Sequence, residues 1–381
     1  MMKAGTDMDT YQFGRRELLT LGTIVVLAPA LRLFITESAE YAGRGAWLTA
    51  LCALPVLLLY ARFLSELMEQ RQEGESLQGL LLRLLGPVLG RAGLAVAAAW
   101  LLLYAGFVLR SGSDRLVVTI YPNTSPAGFS VVMGLIALIA ALGSVRSTAR
   151  VARIVQPVVL GALFLILFFA LFSVKLSNLL PLTVDDVVPI LKGSVAAVDV
   201  ISLGAYALCF LEGRTPKAPG RFKANALWMI ALTVLLTALN ATIIGSFGAE
   251  VTSLLSRPFF VLVRNLVFFN SVERVEALLV MLWTFPDFLL VSAFFTAAQH
   301  SVRLLLGLDE KYSGQRLLDF KNGRFVIWLC AVAAILCAIF IAPDTESLSF
   351  WSTRLIPAVN MSFAFLFLPA VYVIGKLRKV I

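Results

Sequence analysis

About ten apolar runs divide this chain and leave almost nothing else for a fold to be built from. They lie at roughly 18–35, 46–65, 92–116, 126–143, 154–174, 187–211, 225–247, 272–300, 325–342 and 354–375. A transmembrane helix needs about 20 mostly apolar residues, and in lipid only helices or closed barrels satisfy their own backbone groups. With 59% hydrophobic and 14% charged residues among 381, no room remains for a sizeable soluble domain. The expected fold class is an all-α polytopic membrane protein with ten transmembrane helices, forming one transmembrane domain over 1–381. Two runs, 88–120 and 258–306, exceed a single crossing and predict tilt or an attached re-entrant piece.

The net charge of +9 does not point to nucleic acid, because the cations sit between the apolar runs. Most follow the positive-inside rule if the N-terminus is cytoplasmic. Arg71, Arg83, Arg91, Arg146, Arg150, Lys217, Arg221, Lys311, Arg316 and Lys376 then all face the cytoplasm, as do both termini. Acidic pairs, Asp185 with Asp186 and Asp344 with Glu346, face outward. The first apolar run lacks a small-residue cleavage site and reads as a retained span. Cys52, Cys209, Cys330 and Cys337 lie inside apolar segments without metal-ligand spacing, so no metal, disulfide or cofactor is expected.

Two spans are poor plain crossings. Gly193–Gly213 carries Ser194, Asp199, Ser202 and Gly204, and Leu18–Ile35 carries Gly22, Thr23, Pro29 and Arg32. Buried membrane charges normally face a cavity or a partner. Interrupted segments at matching positions in two halves point to a transporter-type binding site. Splitting the chain after the fifth span gives repeat one at about 18–174 and repeat two at about 187–375. An odd span count per half inverts the second half, a five-plus-five inverted repeat with broken helices 1 and 6.

The run Gly22-Thr23-Ile24-Val25-Val26-Leu27-Ala28-Pro29 resembles the first helix of amino acid–polyamine–organocation transporters. That resemblance implies a LeuT/APC-like fold in which the helix unwinds and bared N–H groups near Gly22, Thr23, Ile24 and Val25 receive a ligand carboxylate. Around Gly204 the chain is similar to the relatives' G-x-E, with Tyr206 at the acidic position.

Residues 256–287 bring a narrower resemblance. A piece after Pro258 precedes Glu273-Arg274-Val275-Glu276, which opens a long helix bearing Trp283. Together with Ala46-Trp47-Leu48 and Asn178-Leu179-Leu180-Pro181-Leu182, this resembles the B subunits of spore germinant receptors over about 15–375. The resemblance implies a nutrient-sensing subunit in the spore inner membrane. Such a subunit binds a small germinant, usually an amino acid, and works with an A subunit and a lipoprotein C subunit. An amino acid permease, proton-coupled through Asp199, is the alternative reading on the same fold.

Candidate ligand-binding residues are thus Gly22, Thr23, Ile24, Val25, Tyr104, Asp199, Ser202, Gly204, Tyr206, Trp283 and Asp287. Glu273, Arg274 and Glu276 are candidates for a gate or partner contact, or for simple helix N-terminal charges. Asp199 is open to three roles: ligand-amine partner, proton or cation site, or ion-pair partner of Arg32. Arg110 and Arg115 flank Asp114 at an outer helix end and read as a solvated cluster. One histidine, His300, and no paired catalytic motif argue against an enzyme.

Overall fold

Gly43 sets the first architectural feature. Its φ of 52° ends a helical stretch and turns the chain toward the next span. Gly193, on a third helix, faces both arms: a Cβ there would lie 3.0 Å from Ala42 Cβ and 2.9 Å from Thr49 Cγ2. The computed structural model describes residues 14–119, 123–143, 145–217, 220–255, 257–265, 275–308 and 323–380.

The first arm is α1 (Arg15–Pro29), a π-helical segment (Ala30–Phe34) and α2 (Ile35–Ala42). After a 3-10 turn come α3 (Thr49–Glu69), α4 (Leu77–Thr119), α5 (Pro126–Leu142) and α6 (Val145–Ala170). Ser125 caps α5, its hydroxyl accepting from the Ala127 N–H at 3.3 Å, with Pro126 opening the helix where a missing N–H costs nothing. The run continues with α7 (Val187–Leu211), α8 (Arg221–Phe247) and the short α9 (Ala249–Leu254) and α10 (Pro258–Asn265). Next are α11 (Val275–Leu305) and α12 (Gly323–Phe340). The last span joins α13 (Thr345–Phe350), α14 (Ile356–Ser362) and α15 (Leu368–Leu377) through π segments at Trp351–Leu355 and Phe363–Phe367.

Seven of these helical stretches are long and apolar enough to cross a membrane. The first of the seven, Arg15–Glu69, doubles back at Gly43 and so supplies two spans. The shorter apolar helices Pro126–Leu142 and Phe325–Phe340 bring the described residues to ten. The predicted all-α polytopic architecture is therefore present. Of the two over-long runs, 258–306 carries a separate piece, whereas 88–120 stays helical through Thr119. Gly86 (φ 82°, ψ −178°) interrupts α4 near its start, and α10 is a separate piece ahead of α11.

Burial separates centre from rim. In Val184–Leu211 94% of the most apolar window is buried, against 28% in Val145–Ser173 and 33% in Glu346–Leu377. So α7 is enclosed by α1, α2, α3 and α8, whereas α6 and the last span turn one face outward. Ile154, Phe164 and Phe168 are exposed on that side of α6, as lipid contact requires.

The two expected breaks take a different form. The helix α7 runs unbroken from Val187 to Leu211, with Gly204 inside it. Gly22, Thr23, Ile24 and Val25 lie inside the continuous α1, so their amides are engaged in the helix. The irregularity of the first span is the π-helical Ala30–Phe34, just past Pro29.

Candidate functional site

The glycines that suggested unwinding serve close approach instead. A Cβ on Gly204 would overlap Val26 Cγ2 and sit 3.5 Å from the Gly22 carbonyl oxygen. A Cβ on Gly22 would meet Leu208 Cδ1 at 2.6 Å and Trp228 Cζ2 at 3.0 Å. Small residues at a crossing let two membrane helices touch backbone to backbone. Thr23 belongs to the same contact, its hydroxyl accepting from Trp228 Nε1 at 3.0 Å and donating to the Leu19 carbonyl at 3.0 Å. Ile24 and Val25 are buried beside it.

Asp199 points elsewhere. Asn360, the one amide side chain in the last span, donates through Nδ2 to the Asp199 carboxylate and, at 2.9 Å, to its backbone carbonyl. The Tyr206 hydroxyl donates to Asn360 Oδ1 at 2.5 Å, and Trp100 Nε1 donates to the Tyr206 oxygen at 2.7 Å. Ser202 returns its hydroxyl to the Asp199 carbonyl at 3.0 Å. A buried chain Trp100–Tyr206–Asn360–Asp199 thus ties α4, α7 and α14 together. Of the three roles open to Asp199, pairing with Arg32 is not the one adopted. Asn360 and Trp100 were not singled out from the sequence; an amide alone in an apolar span was the signal that marks Asn360.

Arg32 has a different environment. The π segment carries its guanidinium over the Phe107 ring, 4.9 Å from the centroid. All three of its nitrogens are closed off from solvent and have no hydrogen-bond partner among the described residues. The Tyr104 hydroxyl lies within reach but closes no well-directed hydrogen bond, and Asp287 and Arg115 are its next charged neighbours. Tyr104 packs against Phe107 (6.1 Å between centroids) and Phe294 (5.5 Å).

Asp287 lies one turn past Trp283 on α11, on the same face. One of its oxygens receives Arg115; the other, Oδ1, is buried without a partner, as is Trp283 Nε1. Trp283 is covered by Phe259 of α10 at 5.3 Å, and Arg115 by Phe260 at 5.8 Å. So the structure brings Tyr104, Trp283 and Asp287 together with Arg32, around polar atoms that lack protein partners. Asp199, Ser202 and Tyr206 of α7 are engaged in the buried hydrogen-bond chain, and Gly22–Val25 with Gly204 belong to the α1–α7 crossing. Glu37, buried on α2 with Oε1 unpartnered, is within electrostatic reach of Asp199.

The cluster expected in solvent is buried. Arg110, Asp114 and Arg115 are 5%, 5% and 4% exposed. Arg257, more than a hundred residues away, closes onto Asp114, and Arg110 lies 3.6 Å from the same carboxylate while donating to the Ala342 carbonyl at 2.7 Å. At the opposite end of the bundle, Glu212 gathers Arg221 and Arg15, the latter at 3.5 Å. Arg71 donates to the Glu212 and Thr215 carbonyls at 3.3 and 3.1 Å. A crevice there, lined by Arg15, Leu18, Glu212 and Asn225, has about 20 Å³ free, enough for one water. Glu273 and Arg274 lie outside the described residues, and of Glu276 only the helical backbone is described.

A family model described as "Spore germination protein" matches residues 16–347. No curated protein matches the sequence significantly. Among solved structures, MhsT in complex with L-phenylalanine superposes with a TM-score of 0.60 at 17% identity, covering 93% of this chain and 88% of that one. A Na+-coupled sialic acid symporter, substrate-bound and outward-open, gives 0.57 at 14%, covering 95% and 81%. Mhp1, a nucleobase-cation-symport-1 family transporter closed around bromovinylhydantoin, gives 0.56 at 14%, covering 92% and 78%. At these identities the likeness concerns the fold, which is that of LeuT-type transporters.

Proposed function

Since this chain belongs to the spore germination protein family, we propose that it is the nutrient-sensing subunit of a spore germinant receptor. The family and the fold make it a multi-pass, transporter-like membrane protein and not an enzyme. In this reading it sits in the spore inner membrane with both termini cytoplasmic. It binds a small germinant, an amino acid, between α1, α4, α7 and α11, and partner A and C subunits respond to the change that follows.

The observation that carries this reading is the set of buried polar atoms with no protein partner: the Arg32 nitrogens, Tyr104 Oη, Trp283 Nε1 and Asp287 Oδ1. Buried polar groups are nearly always satisfied, so such a group points to a missing ligand. The solved relatives carry small molecules in the same fold, among them an amino acid. Signalling requires only that the ligand bind one arrangement of the helices better than another.

The test has two arms. Spores lacking this chain should fail to germinate on the amino acids that raise the melting midpoint of the purified protein, since a ligand stabilises the state it binds. Gradient-driven accumulation of labelled amino acid by the lone chain in proteoliposomes would replace the receptor with a permease. Normal germination of the deletion strain on every such amino acid would reject a sensing role.

A further inference from the structure

We infer that Arg32 is the carboxylate-binding residue of this site and that the germinant it selects is a zwitterion, with its ammonium group at Asp287 Oδ1. The inference deepens the receptor reading by naming the residues that would hold the two charges of the amino acid, but its geometry stands without that reading. An arginine in a membrane span is ordinarily paired or drawn to the interface. Among the described residues Arg32 is neither: its nitrogens are sealed and unpartnered, with the Phe107 face and the Tyr104 hydroxyl beside them. Arg115 is committed to Asp287, while Arg110 and Arg257 are committed to Asp114. Among the described residues, one guanidinium in the cluster is therefore left without an anion.

A guanidinium presents its donors as a planar fork that fits a carboxylate with two parallel hydrogen bonds. A free carboxylate arriving there would satisfy the Arg32 fork, and the Tyr104 hydroxyl could donate to the same group. The ammonium of the same molecule finds an acceptor in Asp287 Oδ1, the oxygen that Arg115 leaves open. A guanidinium without a carboxylate and a carboxylate oxygen left open favour a molecule that carries both charges. A sugar or nucleoside offers neither. The π-helical Ala30–Phe34 is what turns Arg32 inward, and such insertions recur at functional sites. Backbone amides at Gly22–Val25, engaged within α1, have no part in this arrangement.

The full-length chain, purified in detergent, is melted alone and with L-alanine, L-phenylalanine, acetate, D-glucose or inosine. Wild type should be stabilised by an amino acid and not by glucose or inosine. Arg32→Met removes an unpaired buried charge at similar length, so the ligand-free midpoint should rise by about 2 °C or more. At the same time the amino acid affinity should fall by roughly tenfold or more, and Tyr104→Phe should weaken it less. A lower midpoint for Arg32→Met would mean that Arg32 has a structural partner, and the proposal fails. It fails equally if Arg32→Met keeps the wild-type affinity, or if wild type moves with none of the probes or only with glucose or inosine. If the purified protein behaves as expected but Arg32→Met spores germinate normally on the same amino acid, the receptor reading falls and the zwitterion site stands.

Discussion

Gly204 of α7 sits against Val26 of α1, so close that a single added methyl would overlap the valine Cγ2. The two most enclosed spans therefore meet through glycine and not through a ligand-filled gap. Gly204→Ala should destabilise the purified protein by about 1–3 kcal/mol, the usual cost of overpacking. Gly22→Val should do at least as much, since its first new carbon would lie 2.6 Å from Leu208 Cδ1. Detergent unfolding curves measure both; a neutral Gly204→Ala would mean that α1 and α7 part readily.

Asn360 is a second point of vulnerability. It satisfies Asp199 and receives Tyr206 at once. Asn360→Ala strands both partners in the interior, where each unsatisfied polar group costs about 1–3 kcal/mol. Asp199→Asn keeps an acceptor in place and should cost less. A double-mutant cycle between Asn360 and Tyr206 should show coupling of about 0.5 kcal/mol or more; additive effects would deny the chain through α4, α7 and α14.

Among the described residues, Asp114 is the only carboxylate that pairs with Arg110 and Arg257. Asp114→Ala leaves two guanidinium groups short of their anion, and breaking one buried pair already costs about 3–5 kcal/mol. Arg257→Ala should be milder, because Arg110 remains to hold the carboxylate and Arg257 is itself partly exposed. Thermal midpoints of the two variants should rank in that order.

Asp344 caps α13, its carboxylate accepting the Ser347 N–H at 2.7 Å. That backbone hydrogen bond holds its pKa below the ordinary 3.8. A carboxylate lowered in the folded state adds stability above its unfolded pKa, and the gain disappears as pH falls through the folded value. Amide exchange at Ser347 should therefore be slow at neutral pH and quicken below about pH 4 relative to a neighbouring helix. Asp344→Ala should remove the pH dependence.

Much of this was legible in the chain. Apolar runs of membrane length gave the ten spans, and Tyr104, Asp199, Trp283 and Asp287 stood out as polar or aromatic residues within them. Two things were not. A glycine inside a span has the same spelling whether it marks an unwound helix or a tight crossing, and only the partner's Val26 and Leu208 decide. Long-range pairing is equally silent: Arg110, Asp114 and Arg115 looked like a wet helix end until Arg257 and Asp287 arrived from the second half of the chain. Arg32 shows the reverse: it was one of three partners open to Asp199, and Asn360 holds that acid instead.

The five residues Ala30–Phe34 wind more loosely than the turns around them. A π turn holds a surplus residue over the α-helix, and each residue turns the helix by about 100°. Tightening that turn would screw Ile35–Ala42 around its own axis, swinging Glu37 and Ser38 to a new bearing while Arg15–Pro29 stayed clamped at the glycine crossing. The first span is in this sense a ratchet with one spare tooth, and Arg32 rides on it.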